Sequence, residues 1–215
     1  MISVAIVEDN KLTREGLETV VNLSGECCCV CACSTGEDAL KLLPVHQPDV
    51  VLMDIQLPGM SGIDCVAQLK PLLASARVVM VTVYEDPERI FRAIRAGASG
   101  YLLKRATPEQ VLSAIRDVQQ GGAPMSGEIA RKIMAQFRTV PASPIPVQLL
   151  SPAESSLLEL LEKGFSEKEI AQRLGFSDQA IRAHLKFIYQ KLHSHCVAAE
   201  SRSIPSLAKT TQLGS

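Results

Sequence analysis

The sequence predicts an α/β domain built on a five-stranded parallel sheet, followed by a small all-α domain. Three observations carry that reading. Short apolar runs recur over the first half, at Ile2 to Glu8, Cys27 to Ser34, Asp49 to Asp54, Val78 to Thr82 and Gly100 to Leu103, and each reads as a strand. Amphipathic stretches of helical period separate them, and strands alternating with helices imply βαβ units with right-handed crossovers. After Gln120-Gly121-Gly122 the alternation stops, and Ser151 to Leu192 shows helical signals only.

The helices carry their own start signals. Thr35 precedes Gly36-Glu37-Asp38, Asp86 precedes Pro87, and Thr107-Pro108-Glu109-Gln110 combines a capping box with Pro at the first helical position. Ser126 to Phe137 reads as a short helix, and Pro141, Pro144 and Pro146 then mark a semi-rigid linker. Ser151-Pro152-Ala153-Glu154 opens a helix that ends at Gly164, and Ser166-Glu167-Lys168-Glu169 opens a second through Leu174. Gly175-Phe176-Ser177 is a tight turn, and a third helix runs from about Asp178 to Leu192. Its Ile181, Leu185, Ile188 and Leu192 recur at helical spacing and face a core, which turns Arg182, Ala183, Lys186 and Gln190 outwards. Two helices joined by a short Gly-containing turn, the second basic on its exposed face, describe a helix-turn-helix. The chain thus divides into residues 1–121, a linker over 122–147, a helical domain over 148–205 and a polar tail over 206–215.

Charge follows the same division. Residues 1–122 carry 11 basic and 15 acidic groups, whereas Arg173 to Lys209 holds six basic against two acidic. An acidic front and a locally basic back point the latter towards nucleic acid. Glu154, Glu159, Glu162, Glu167 and Glu169, on the earlier helices, are expected to face away from it. No apolar run approaches the roughly 18 residues of a membrane span, and the N-terminus lacks a signal-peptide layout. A cytoplasmic protein without a membrane partner is expected.

The strand ends bear the chemistry. Val50-Val51-Leu52-Met53 closes on Asp54, and Ile55-Gln56-Leu57-Pro58-Gly59-Met60-Ser61-Gly62 then breaks the strand. A carboxylate at the carboxyl end of a parallel strand points into the crevice where α/β folds bind ligands. Glu8-Asp9 closes Val4-Ala5-Ile6-Val7 in the same way, Thr82 ends the fourth strand, and Lys104 closes the fifth after Tyr101-Leu102-Leu103. Asp9 and Asp54 suit Mg²⁺, which prefers one or two carboxylates and keeps its waters. Lys104 adds a point charge for a phosphoryl group, and Thr82 offers it a hydroxyl. Met53 and Met60 are read as packing.

Five of the seven cysteines fall in Cys27-Cys28-Cys29-Val30-Cys31-Ala32-Cys33. The main reading is a buried strand of small, weakly polar side chains. With strand periodicity, Cys27, Cys29, Cys31 and Cys33 share one face. A redox or soft-metal role is the alternative, with disulfides uncommon in a cytosolic chain.

Glu8-Asp9, Asp54, the Leu57 to Gly62 turn, Thr82, Ala96-Gly97-Ala98 and Lys104 together resemble the receiver domain of two-component response regulators, a five-stranded (βα)5 flavodoxin-like fold. Leu150-Ser151-Pro152-Ala153-Glu154 through Lys191-Leu192 resembles the DNA-binding domain of the LuxR/NarL/FixJ branch. The two cover the chain apart from the linker and tail. The resemblance implies a transcription regulator whose Asp54 accepts a phosphoryl group from a sensor histidine kinase. It implies Mg²⁺ held by Asp9, Asp54 and the Gln56 backbone carbonyl, with Glu8 behind them. Lys104 then holds the aspartyl phosphate, Thr82 swings towards it, and Tyr101 rotates into the space that Thr82 leaves. Gln56 and Tyr84 influence the lifetime of the phosphate. The protein is then no enzyme in the usual sense, catalysing only its own phosphorylation and dephosphorylation.

On double-stranded DNA, Arg182, Ala183 and Lys186 are expected to read bases, and Ser177, Gln179 and Lys191 to touch phosphates. A homodimer is implied for the active form. The chain departs from the family after Leu192, where Pro205 leaves room for a fourth helix of barely two turns. Arg105 stands where many receivers carry proline. Two other readings are a receiver-based interaction module with a degraded DNA-binding tail, and a thiol or metal sensor using the Cys27 to Cys33 strand.

Overall fold

Five strands, all parallel, form one sheet in the order β2-β1-β3-β4-β5. The computed structural model describes residues 1–126, 128, 129, 132, 151–163, 165, 167–177, 179–181, 183–185, 187, 188 and 191. Along the chain these give β1 (Ile2–Val7), α1 (Lys11–Leu23), β2 (Cys27–Cys33), α2 (Gly36–His46), β3 (Val50–Met53), α3 (Gly62–Leu72), β4 (Arg77–Thr82), α4 (Pro87–Ala96), β5 (Gly100–Leu103) and α5 (Pro108–Gln119). Two further helices follow, α6 (Pro152–Glu162) and α7 (Glu167–Leu174). The alternation predicted from the sequence is therefore the alternation observed.

The sheet is buried on both faces, which is why its strands read as continuous apolar runs. Val4, Ile6, Leu52, Val79 and Val81 pack with α1 and α5 through Val21, Val111, Ile115 and Val118. Ala5, Val7, Val51, Met53 and Met80 pack on the other side with α2, α3 and α4 through Leu43, Val66, Leu69, Ile90 and Ile94. The helix starts follow their caps. The side chains of Thr35, Asp86 and Thr107 accept from the amides of Asp38, Arg89 and Gln110, and Thr107 and Gln110 close a reciprocal capping box.

Strand β2 corrects one expectation. Its register against β1 slips between Val4 and Ala5, so that Val4 pairs with Cys29 but Ala5 pairs with Cys31. The extra residue, Val30, is a bulge, and a bulge reverses which face the following residues occupy. Cys27 and Cys29 consequently lie with the α1/α5 layer, whereas Cys31 and Cys33 lie with the opposite layer. The four cysteines expected on one face are split two and two. Burial pushes the thiols of Cys29, Cys33 and Cys65 up, to about 11, 12 and 12.

Beyond α5 the chain returns to the sheet. The Tyr101 amide donates to the Pro124 carbonyl at 2.8 Å, and Tyr101 bridges Met125. Of the helix expected over Ser126 to Phe137, residues 128, 129 and 132 are described and helical; Pro141, Pro144 and Pro146 lie outside the described residues.

In the second helical unit, the Ser151 capping box forms as predicted, with the Ser151 amide on Glu154 Oε2 at 2.6 Å and the Glu154 amide on Ser151 Oγ at 3.2 Å. Gly175 turns the chain after α7 with φ +69°, a conformation that favours glycine. Every described residue from 179 to 191 is helical. Ile181, Leu185 and Ile188 are buried there, as their spacing required. No helix among the described residues is long and apolar enough to cross a membrane.

Candidate functional site

The order of the strands makes the crevice. β1 leads to β2 on one side and lies beside β3 on the other, so the crossovers leave in opposite directions at the carboxyl ends of β1 and β3. Glu8 and Asp9 follow β1, and Asp54 follows β3. Backbone bonds fix these ends: the Asp54 amide donates to the Val7 carbonyl at 2.9 Å, the Glu8 amide to the Cys33 carbonyl at 3.0 Å, and the Lys104 amide to the Thr82 carbonyl at 2.8 Å.

Carboxylate oxygens of Glu8, Asp9 and Asp54 lie within 4.8 Å of one another. Glu8 and Asp54 are 1 % and 3 % exposed, while Asp9 is open to solvent. Lys104 reaches into the group, its Nζ 2.9 Å from Asp54 Oδ2 and 2.8 Å and 2.7 Å from the two Glu8 oxygens. Three carboxylates against one ammonium leave an excess of negative charge, and oxygen donors of this kind fit a hard divalent cation. Burial lifts the Glu8 carboxyl above its ordinary value against the pull of Lys104. Burial also opposes the Lys104 charge, but the hydrogen bonds and charges of Glu8 and Asp54 outweigh it and hold the ammonium above its usual value.

The loop after Asp54 is shaped by Gly62, whose part the sequence did not disclose. Asp54 Oδ1 accepts from the Ile55 amide at 2.7 Å, and the Gly62 amide returns to the Ile55 carbonyl at 2.9 Å. A Cβ on Gly62 would lie 1.7 Å from the Asp54 carbonyl oxygen. Only glycine lets the start of α3 approach this closely.

Thr82 is fully buried at the end of β4. The next turn forms a cluster of named contacts: the Tyr84 hydroxyl donates to Gln56 Oε1 at 2.5 Å, and the Arg89 guanidinium lies 3.7 Å over the Tyr84 ring. Tyr101 is 1 % exposed and its hydroxyl donates to the Tyr84 carbonyl at 2.9 Å. The tyrosine expected to rotate inwards is thus already inward, and burial drives its phenol well above the ordinary value. The same turn meets the returning chain through charge. Arg105 pairs with Glu85 at 3.2 Å and Glu128 at 2.5 Å, and Lys132 pairs with Glu85 at 2.6 Å. Sequence reasoning missed this group because Glu85, Arg105 and the Glu128/Lys132 pair come from separate segments that meet only in the folded chain.

The expected DNA-contact residues fare unevenly. Ser177, Gln179 and Ala183 are exposed, while Arg182 and Lys186 lie outside the described residues. Ser177 also caps its own helix, its Oγ accepting from the Ala180 amide at 3.1 Å. Lys191 is engaged within the unit, with Nζ 2.8 Å and 2.7 Å from the two oxygens of Glu154. Glu154, expected to face away from nucleic acid, is 4 % exposed. Burial raises its carboxyl, but the Lys191 and Ser151 hydrogen bonds outweigh that and hold it below the ordinary range.

Comparison with known proteins agrees with both halves. Residues 4–116 match the model of the response regulator receiver domain, and residues 148–200 match that of the bacterial regulatory proteins of the luxR family. The oxygen regulatory protein NreC of Staphylococcus carnosus (strain TM300) is 30 % identical over 198 residues, 89 % of this chain and 91 % of that protein. The response regulator UvrY of Escherichia coli (strain K12) is 30 % identical over 201 residues, 91 % of this chain and 89 % of its own. Among solved structures, a two-component response regulator of the LuxR family from Aurantimonas sp. SI85-9A1 superposes with a TM-score of 0.60 at 28 % identity, covering 63 % of this chain and 97 % of the other.

Proposed function

Because the chain belongs to the response regulators that join a receiver domain to a luxR-family DNA-binding domain, we propose that a sensor histidine kinase phosphorylates it at Asp54 and that the phosphate controls its binding to double-stranded DNA. The observation that carries the assignment is the position of Asp54 beside Glu8 and Asp9 at the switch point of the sheet, with the Lys104 ammonium 2.9 Å away. Asp54 attacks phosphorus, the bond from phosphorus to the donor's histidine nitrogen breaks, and the new acyl phosphate keeps the phosphoryl group. Asp9, Asp54 and the Gln56 backbone carbonyl hold Mg²⁺ in this reading, with Glu8 behind them. When bound, the ion neutralises charge on the incoming group.

Lys104 transfers one of its hydrogen bonds from Asp54 to a phosphoryl oxygen, and the Thr82 hydroxyl takes another. Tyr101, held to the Tyr84 carbonyl, stabilises the turn that follows Thr82. A phosphate shifts a pre-existing equilibrium only by contacts that differ between its two states. Gln56 and Tyr84, joined by their side chains, influence how long the phosphate survives. The protein thus catalyses only its own phosphorylation and dephosphorylation.

Residues 1–121 form the receiver, 122–147 the linker and 148–205 the DNA-binding domain in this reading, which ends in a tail over 206–215. Arg182, Ala183 and Lys186 read bases from the major groove, while Ser177 and Gln179 touch phosphates. Lys191 reaches phosphate only by leaving Glu154. The active form is a homodimer, and the protein works in the cytoplasm.

Fluorescence anisotropy with genomic fragments, at two salt concentrations and with or without acetyl phosphate and Mg²⁺, tests the proposal. Phosphorylated protein should bind more tightly and keep its sequence preference at the higher salt, and Arg182→Ala or Lys186→Ala should weaken it. Weak, salt-sensitive binding without preference in either state would favour the interaction-module reading.

A further inference from the structure

We propose that Cys31 and Cys33 are an oxidisable dithiol at the outer edge of the sheet, closing to an intramolecular disulfide by exchange with a small-molecule disulfide. Two residues apart in β2, Cys31 and Cys33 share one face of the strand, and the Val30 bulge sets that face opposite to Cys27 and Cys29. The two sulfur atoms lie 3.5 Å apart. Alternate residues of a strand have Cα atoms about 6.5 Å apart, at the upper end of the range that a disulfide spans, so closure must draw the backbone of β2 together. β2 is an edge strand, so its outer side has no neighbouring strand to resist that backbone shift.

The two thiols are unequal in access. Cys31 is half-buried, whereas Cys33 is 4 % exposed. Cys31 is therefore the entry sulfur. Its thiolate attacks one sulfur of the small disulfide, forming a mixed disulfide and expelling one small thiolate. Cys33 then loses its proton and attacks the Cys31 sulfur, expelling the second small thiolate. Both cysteine protons end on the released thiols, and the two electrons taken from the cysteines reduce the small disulfide. Cys65 is not a competing partner, since its sulfhydryl faces the Gly36 carbonyl at 3.5 Å.

Closure bears on the acidic site. The Cys33 carbonyl receives the Glu8 amide at 3.0 Å, and Glu8 holds Lys104 beside Asp54. A change in the backbone at Cys33 is felt at Glu8, so the redox state of the pair alters the rate at which Asp54 is phosphorylated. That second part rests on the assignment of Asp54 above.

The test treats full-length protein with oxidised glutathione and reads intact mass. Wild type should lose two hydrogens, reversibly with dithiothreitol. Cys31→Ser and Cys31→Val should not, with either variant melting as the reduced wild type does; two substitutions guard against one that fails to fold. A wild type that keeps all its thiols, or a Cys31 variant that still loses two hydrogens, overturns the dithiol. Labelling by acetyl phosphate should change at least twofold on oxidation of wild type and stay constant in the variants. Equal labelling of oxidised and reduced wild type overturns the coupling to Asp54. Reduced wild type that takes no label contradicts the Asp54 assignment instead, and the mass readout still decides the dithiol.

Discussion

The Lys104 ammonium donates to Asp54 Oδ2 at 2.9 Å across 50 residues of sequence, and it also touches both oxygens of Glu8. One cation thereby ties together the ends of β1, β3 and β5. The contact is stabilising only while both partners are present. Taking either one away leaves buried charge without compensation.

Lys104→Met should lower stability by about 3 kcal/mol, the usual cost of breaking a buried pair. Added Mg²⁺ should recover more of the melting temperature in the variant than in wild type, because the freed carboxylates gain a competing cation. Labelling by acetyl phosphate should slow by roughly 100-fold, as when one donor to a developing negative charge is deleted. Thermal melts at two Mg²⁺ concentrations and a labelling time course check both.

Gly62→Ala should be among the most damaging of the small substitutions. Its Cβ would sit 1.7 Å from the Asp54 carbonyl, and the backbone must shift at a cost of about 3 kcal/mol or more. Labelling should fall along with stability, since the displaced backbone is that of the acceptor. Gly16→Ala is the control. It lies within α1 with nothing inside 4 Å of an added Cβ, and should stabilise by about 0.5–1 kcal/mol. Denaturant melts of both variants decide.

Asp49 governs part of the acid stability. Its Oδ2 accepts from the Ser3 hydroxyl at 2.7 Å and the Ser3 amide at 2.8 Å, joining the starts of β1 and β3. These bonds hold its carboxyl below the ordinary value of 3.8. A carboxyl depressed on folding contributes fully above its unfolded pKa, and that contribution is lost as pH falls through the folded value. Ser3→Ala should cost about 1–2 kcal/mol at pH 7. The cost should shrink as pH falls from 3.8, where unfolded chains take up the proton, through the lower folded value at which native Asp49 is protonated too. Urea melts at several pH values test this, and a constant difference would contradict it.

The sheet was legible because its chemistry is periodic. Apolar runs closed by Asp54, Thr82 or Lys104, with Thr35, Asp86 and Thr107 before the helices, left one arrangement that satisfies caps and core together. Two kinds of feature stayed hidden. Val30 adds one residue to β2, and a single insertion reverses every later face without altering composition. Contacts between distant segments leave no local trace either. Lys191 has the look of a phosphate contact until Glu154 is seen beneath it, and Arg105, Glu85, Glu128 and Lys132 meet only after the chain folds back.

The central claim is that Asp54 accepts the phosphoryl group. Asp54→Asn keeps the size of the side chain and removes the nucleophilic carboxylate. With acetyl phosphate and Mg²⁺, wild type should take up label in a Mg²⁺-dependent manner and the folded variant none. Label at full strength on Asp54→Asn would contradict the assignment.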